Sequence, residues 1–380
     1  MTDARLERDF ERFKRNLPPD FPDHVQDAFH VDLTARYLGC SVPHPIGKGS
    51  GQLSLNAGQL EDDSAAGLAF VVLKTVIAQD ETGAQSMAAW AVHETRMTVE
   101  RRRAGDGREG WTVSWKGRGW DRSFEEYLAL ERAGRDIAAA GGMIVVPSVK
   151  YHLPRLGEPF RDAEYEYTTR RLAEAWGDPP LLLEIDFSPT LAGDPLADDR
   201  VQILRWLREV PARVRAARAV PVRLAVKLMN ARFDDAFQLA MMDACAGADA
   251  LVCFNRLFDA ERGIAYGGWD LSERNLRVLG VQGAPRSRTR LTGSGNITSG
   301  RMVLEYARRG CESVQLHTFF QLPLSEYTAT EGSRTQRALH ALVFDPQDGL
   351  IAGMLELEAA GRLERRGGLL RFLDLLPHAD

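Results

Sequence analysis

Two lysines stand where lysine is expensive. Lys74 lies near the end of the apolar run Phe70–Thr75, and Lys227 lies within Val222–Leu228. An ammonium inside such a strand must meet an anion or a hydrogen-bonding network. Neighbouring runs end in polar residues of a complementary kind. Leu181–Phe187 carries Glu184 and Asp186 and continues into Ser188-Pro189-Thr190. Ala250–Asn255 ends in Phe254-Asn255-Arg256, and the stretch around Pro45–Ser50 leads into Gly49-Ser50-Gly51. A hydroxyl or carboxylate held at a strand end can exchange a proton with a substrate, while fixed cations stabilise negative charge beside it. Ser188 reads equally well as a turn residue before Pro189.

A second constellation points to phosphate. In Leu291-Thr292-Gly293-Ser294-Gly295-Asn296-Ile297-Thr298-Ser299-Gly300 a strand turns through glycines into a helix, which frees backbone amides to face an anion. One strand later, Gln315-Leu316-His317-Thr318 adds further amides and hydroxyls. No metal site is expected. Cys40, Cys245, Cys253 and Cys311 are scattered without C-x-x-C spacing, so they read as free thiols. His24, His30, His93, His340 and His378 are isolated; His152, following the third strand, is the one histidine elsewhere that stands near a strand end.

The elements that must carry these residues alternate between short apolar runs and helix-period segments. The predicted strands are the stretch around Pro45–Ser50, Phe70–Thr75, Met143–Pro147, Leu181–Phe187, Val222–Leu228, Ala250–Asn255, Arg290–Gly293 and Ser313–His317. Amphipathic helices are expected between them, among them Phe124–Ala140, Val201–Ala217, Asp234–Ala246 and Gly300–Arg309. Near-continuous apolar strands separated by helices imply a parallel sheet covered on its faces. The fold expected is therefore α/β, a (β/α)₈ TIM barrel, and chemistry in that fold sits at the carboxyl ends of the strands. No G-x-G-x-x-G follows the first strand, which weighs against a dinucleotide-binding sheet.

All 380 residues are read as one domain. Its barrel core spans about 44–330, with an N-terminal helix, a closing hairpin over 32–45, an inserted β-hairpin over about 90–115 and a C-terminal helical extension over about 335–380 that packs outside the barrel or against another subunit. A 44% hydrophobic and 27% charged composition excludes disorder, and a net charge of −5 argues against a nucleic-acid partner. The charged, amphipathic N-terminus is not of signal-peptide type, and no run reaches the length of a membrane span. A soluble, cytoplasmic protein with a small-molecule substrate, no membrane association and a homodimer as candidate assembly is expected.

Taken in order, the strand-end motifs resemble those of the dihydroorotate dehydrogenase family of FMN-dependent TIM barrels, over roughly 30–330. His44-Pro45-Ile46 leading to Gly49-Ser50-Gly51 resembles the family's first strand, and Val72-Leu73-Lys74-Thr75 its second-strand lysine motif. Phe187-Ser188-Pro189-Thr190 resembles the loop that carries its catalytic base, Val226-Lys227-Leu228 its flavin-contacting lysine, and Phe254-Asn255 its sixth-strand asparagine. Tyr266-Gly267-Gly268-Trp269 stands for the following Gly-Gly loop. Gly293 to Gly300 and Val314 to Thr318 resemble the FMN phosphate loops.

The resemblance implies an FMN-dependent oxidoreductase acting on a C–C bond. Ser188, Lys74 and Asp186 would be catalytic. Ser50, Gly51, Lys74, Thr75, Lys227, Asn255, Gly268, Gly293, Gly295, Asn296, His317 and Thr318 would hold the cofactor. Two departures argue against orotate itself. Ile185 stands where the family has an asparagine, and Trp115-Lys116-Gly117-Arg118-Gly119-Trp120 replaces an asparagine-rich substrate loop, which suits a different planar or anionic substrate. The alternatives are a phosphosugar aldolase or isomerase, with Lys74 or Lys227 forming a Schiff base, and a barrel that has lost its chemistry and serves as a binding partner.

Overall fold

The computed structural model describes residues 3–88, 97–103, 109–115, 119–177, 180–187, 200–217, 221–230, 234–259, 264–267, 270–281 and 289–377. Its centre is a curled, all-parallel sheet. Ile46–Lys48 pairs with Phe70–Val72, which pairs with Ile144–Val146. Val76–Ile77 and Ser148–Lys150 continue those last two strands, and Ser148–Lys150 passes the pairing to Leu181–Phe187. Val222–Leu228, Ala250–Cys253, Arg290–Ser294 and Cys311–Leu316 follow, and Val314 returns the register to Ile46. The succession of pairings is thus a ring, and the fold is TIM-barrel-like. Apolar side chains on both faces of these strands drive it, because one face meets the barrel interior and the other the helices.

Two predicted strands are interrupted for local reasons. Phe70–Thr75 stops at Val72 because the Lys74 amide turns away from the ladder and donates to the Ser54 carbonyl at 3.1 Å. The third strand continues beyond Met143–Pro147 to Lys150 but breaks at Pro147, which has no N–H to give. The outer helices include Phe124–Gly141, Asp162–Trp176, Arg200–Ala216, Asp235–Ala244 and Gly300–Ala307. Phe124–Gly141 starts with a reciprocal Ser123–Glu126 capping box and stops at Gly142, whose φ is 72°.

The N-terminal hairpin, Ala35–Tyr37 with Cys40–Val42, turns through Leu38 and Gly39, both with positive φ, as a tight two-residue hairpin turn requires. It closes the amino end of the barrel. Tyr37 lies flat on Phe70 with ring centroids 3.9 Å apart, and Phe70 fills the interior so closely that a Cβ on Gly47 would fall 2.3 Å from its ring.

The helix Arg334–Phe344 packs within the chain against the first strand. Its Thr335 hydroxyl donates to Asp63 at 2.6 Å, and the same carboxylate pairs with the buried ammonium of Lys48. Phe344 also packs edge-on against Phe13 of the N-terminal helix Ala4–Phe13.

The inserted hairpin is present as Met97–Arg103 paired with Glu109–Trp115. It is half of a larger unit. Leu257–Asp259 and Ile264–Gly267 complete a four-stranded antiparallel sheet, with Ala265 opposite Trp115. Tyr266 and Gly267, assigned by resemblance to a Gly-Gly loop, therefore run as a strand. Arg101 ties this sheet to the segment after the last barrel strand through Glu326 at 2.6 Å.

Candidate functional site

Strand alternation sorts the polar residues. Along Leu181–Phe187, Phe187 points outward and stacks on Trp206 of the helix Arg200–Ala216 at 4.6 Å, so Glu184 and Asp186 point inward. Lys227, in register with Asp186, points inward from the next strand. Glu184 is completely buried. Its carboxylate accepts from Gln315 Nε2 at 2.6 Å and lies 3.5 Å from Lys227 Nζ, which in turn donates to Gln315 Oε1 at 3.1 Å. The Tyr37 hydroxyl closes the cluster from below, accepting from Gln315 at 3.1 Å. Burial pushes the Glu184 carboxyl upward, opposed chiefly by the Lys227 charge. Burial, and then the Glu184 charge, push the Tyr37 phenol well above its ordinary range.

The rim above this cluster gathers most of the predicted residues. Ser50 and Thr75 share a hydrogen bond of 2.8 Å, and Thr75 reaches Ser148 at 3.0 Å. Lys74 donates to Gln52 Oε1 at 2.7 Å. Asn255 donates to Asp186 at 3.2 Å, and its own carbonyl accepts from Asn230, whose amide oxygen is held by the buried Arg274. His317 packs against Gly51 so closely that a Cβ there would fall 2.0 Å from its Nε2. Burial, then the charges of Arg256, Lys74 and Lys227, hold the imidazole well below its ordinary range, so it is neutral.

The glycine-rich turn forms a cleft with these residues. Gly293 is required because a side chain would strike Tyr306, 2.4 Å away. Gly295 has φ +105° and leaves room for Asn275, whose amide donates to the Ser294 carbonyl at 2.7 Å. Asn296 follows with φ 50°, and its buried Oδ1 has no hydrogen-bond partner. Among the described residues, the backbone amides of Gly295, Asn296, Ile297 and Thr298 donate to no acceptor. Unpaired amides at a turn suit an oxyanion. The cleft is lined by Asn255, Arg256, Ser294 to Ile297, Gln315, His317 and Thr318.

The site therefore joins Lys74, Thr75, Ser50, Gly51, Asp186, Lys227, Asn255, Gly293, Gly295, Asn296, His317 and Thr318 at one end of the barrel. Ser188 and Gly268, and 116–118 of the substrate loop, lie outside the described residues. Tyr37, Gln52 and Asn275 carried no sequence signal, since each acquires its role only through a partner distant in the chain. Gln315 and Arg256 stood inside the quoted motifs without a role. His152 is structural: its ring meets Glu158 at 3.2 Å, and its carbonyl accepts from Trp206.

A ring of parallel strands with helices outside and polar side chains gathered at the strand ends defines the TIM-barrel-like class of α/β protein. Among solved structures, a DHODH of Eimeria tenella in complex with ferulenol has this fold, with a TM-score of 0.58 across 99% of this chain and 96% of that one. At 12% identity the likeness is one of fold. No protein-family profile matches the sequence, and no curated protein does. Among the described residues no helix is long and apolar enough to cross a membrane, and no cluster of metal-ligating side chains is present.

Proposed function

We propose that the chain is an FMN-dependent oxidoreductase of the dihydroorotate dehydrogenase type, acting on a C–C bond of a small cyclic or conjugated substrate other than orotate. The observation that carries this reading is the convergence at one barrel end of Lys74, the Asp186–Asn255 pair and a turn with unpaired amides, above the buried Lys227. The donor set fits the cofactor at both ends. Lys227 and Lys74 suit an electron-rich ring system, and the Gly295–Thr298 amides with the Thr318 hydroxyl suit its phosphate. FMN would supply the hydride acceptor or donor that the side chains lack.

The protein's own contribution is position and charge. Glu184 and Gln315 fix the Lys227 ammonium in one place, which spares the rotamer search a free lysine would make. Asn255 orients the Asp186 carboxylate toward the rim, and a Ser188 base, which lies outside the described residues, would need an acceptor of that kind to exchange a proton at a substrate carbon. Glu184 lies too deep for that task. A serine needs such a neighbour because its free hydroxyl is a poor base. A small soluble substrate, a cytoplasmic location and pairing as a homodimer complete the reading.

The deciding measurement is the near-ultraviolet and visible absorbance of the purified protein, with the released chromophore identified by mass. Near-stoichiometric FMN supports the reading. A colourless protein that cannot be reconstituted with FMN removes it.

A further inference from the structure

The amino end of the barrel, opposite the candidate site, has a concave surface of its own. The hairpin turn at Leu38 and Gly39 meets the starts of Val222–Leu228 and Arg290–Ser294 there, around a cleft of about 370 Å³. Two guanidinium groups converge on it: a Cβ on Gly39 would lie 3.6 Å from Arg223 Nη1 and 3.5 Å from Arg290 Nε. Like charges brought this close repel, so negative charge must answer them. The acids nearby fall short. Glu312 is divided between Arg290 at 2.7 Å and Arg36 at 3.9 Å. Asp249, which lines the cleft, is taken by Arg215 at 2.7 Å and by the Leu224 amide at 2.8 Å. Among the described residues no carboxylate pairs with Arg223, whose Nη1 makes only long contacts of 3.5 Å to the Leu38 carbonyl and the Cys40 sulfur. Leu38 itself holds φ 48°, which is strained for a leucine, and such strain collects where ligands are clamped.

We infer that this cleft binds a phosphate dianion, free or as the end group of a small organic phosphate, between Arg223 and Arg290. A tetrahedral phosphate offers oxygens to two guanidinium forks at once, whereas a single carboxylate is filled by one. Ala246 and Ala248 form an apolar wall beside the two arginines, and the volume leaves room for an organic group on the phosphate. The cleft lies at the other end of the strands from the flavin site, so the inference stands or falls apart from the oxidoreductase reading.

The test is calorimetric titration of the full-length protein with inorganic phosphate and with phenyl phosphate at constant ionic strength, repeated on Arg223→Ala and Arg290→Gln. Arg223→Ala strands no carboxylate, and Arg290→Gln leaves Glu312 its contact with Arg36. Melting temperature and circular dichroism check that each variant folds, and either variant decides if the other does not. The expected result is saturable binding of at least one of the two anions by the parent, weakened ~10-fold or more in each variant. Tighter binding of phenyl phosphate would assign the cleft to a phosphate ester, and tighter binding of inorganic phosphate to the free ion. No saturable binding by the parent would overturn the inference. So would an affinity unchanged in the variants, which would place the anion elsewhere, as on the Gly295–Thr298 turn.

Discussion

Lys227 and Glu184 meet inside the barrel at 3.5 Å although they are not register partners: Lys227 lies opposite Asp186, and Glu184 opposite Ala225. The lysine therefore reaches back toward the amino end of the barrel and pairs diagonally. Both groups are nearly or fully out of water, so removing one strands the other. Lys227→Met is expected to cost about 3–5 kcal/mol at neutral pH, and the double change Lys227→Met/Glu184→Gln to recover most of it. Urea unfolding of the two single variants and the double variant measures this. Additive losses would show that the pair is not coupled.

The same geometry argues against covalent chemistry on lysine. Lys227 is held between Glu184 and Gln315, and Lys74 is bound to Gln52, whereas a Schiff-base lysine must present a neutral, mobile amine. Incubation with phosphosugars and cyanoborohydride should leave the intact mass unchanged. A stable adduct on either residue would instead restore the aldolase reading.

Glu131 makes a pH prediction. It lies on the inward stripe of Phe124–Gly141, fully buried, and neither carboxyl oxygen has a partner. Burial pushes its pKa well above the ordinary carboxyl range. The folded state thus keeps a proton that the unfolded chain releases, so the contribution of this group to stability is greatest below pH ~4.5 and falls as pH rises toward the folded value. Glu131→Met should raise stability by about 1–3 kcal/mol at pH 7 and by less at pH 5. Chemical unfolding at the two pH values tests it; an equal gain at both would remove the ionisation argument.

Gly51 is placed to report on the site without reporting on the fold. A methyl group there would collide with the His317 ring, the far end of a side chain at the rim, whose Nε2 lies 3.4 Å from Gln321 Nε2. Gly51→Ala is expected to move His317 and weaken FMN by more than ~10-fold while shifting the melting temperature by only a few degrees. Parallel fluorescence titration and calorimetry separate the two effects. A large melting shift would mean that the contact is structural.

Buried attachment of the C-terminal helix is equally testable. Thr335 donates to Asp63, which also holds Lys48, behind the first barrel strand. Thr335→Val removes a donor from a buried carboxylate and should cost about 1–3 kcal/mol. Retained stability would indicate that Lys48 alone satisfies Asp63.

The strand ladder and the direction of its side chains are legible in the residues alone. Leu181–Phe187 and Val222–Leu228 read directly as strands because a segment buried on both faces must be apolar throughout, and a period of two then fixes Glu184, Asp186 and Lys227 on one face. Tertiary structure alone decided who meets whom. The diagonal Lys227–Glu184 pair, Tyr37 beneath Gln315, and Leu257–Gly267 completing the sheet begun by Met97–Trp115 join residues far apart in the chain, and no local pattern encodes such contacts. The helix Gly300–Ala307 shows the same limit. The glycine-rich turn before it read as an anion site from the sequence, but only the tertiary structure shows that the C-terminal segment packs on Gly300 and takes the Arg301 amide, leaving the turn's own amides unpaired.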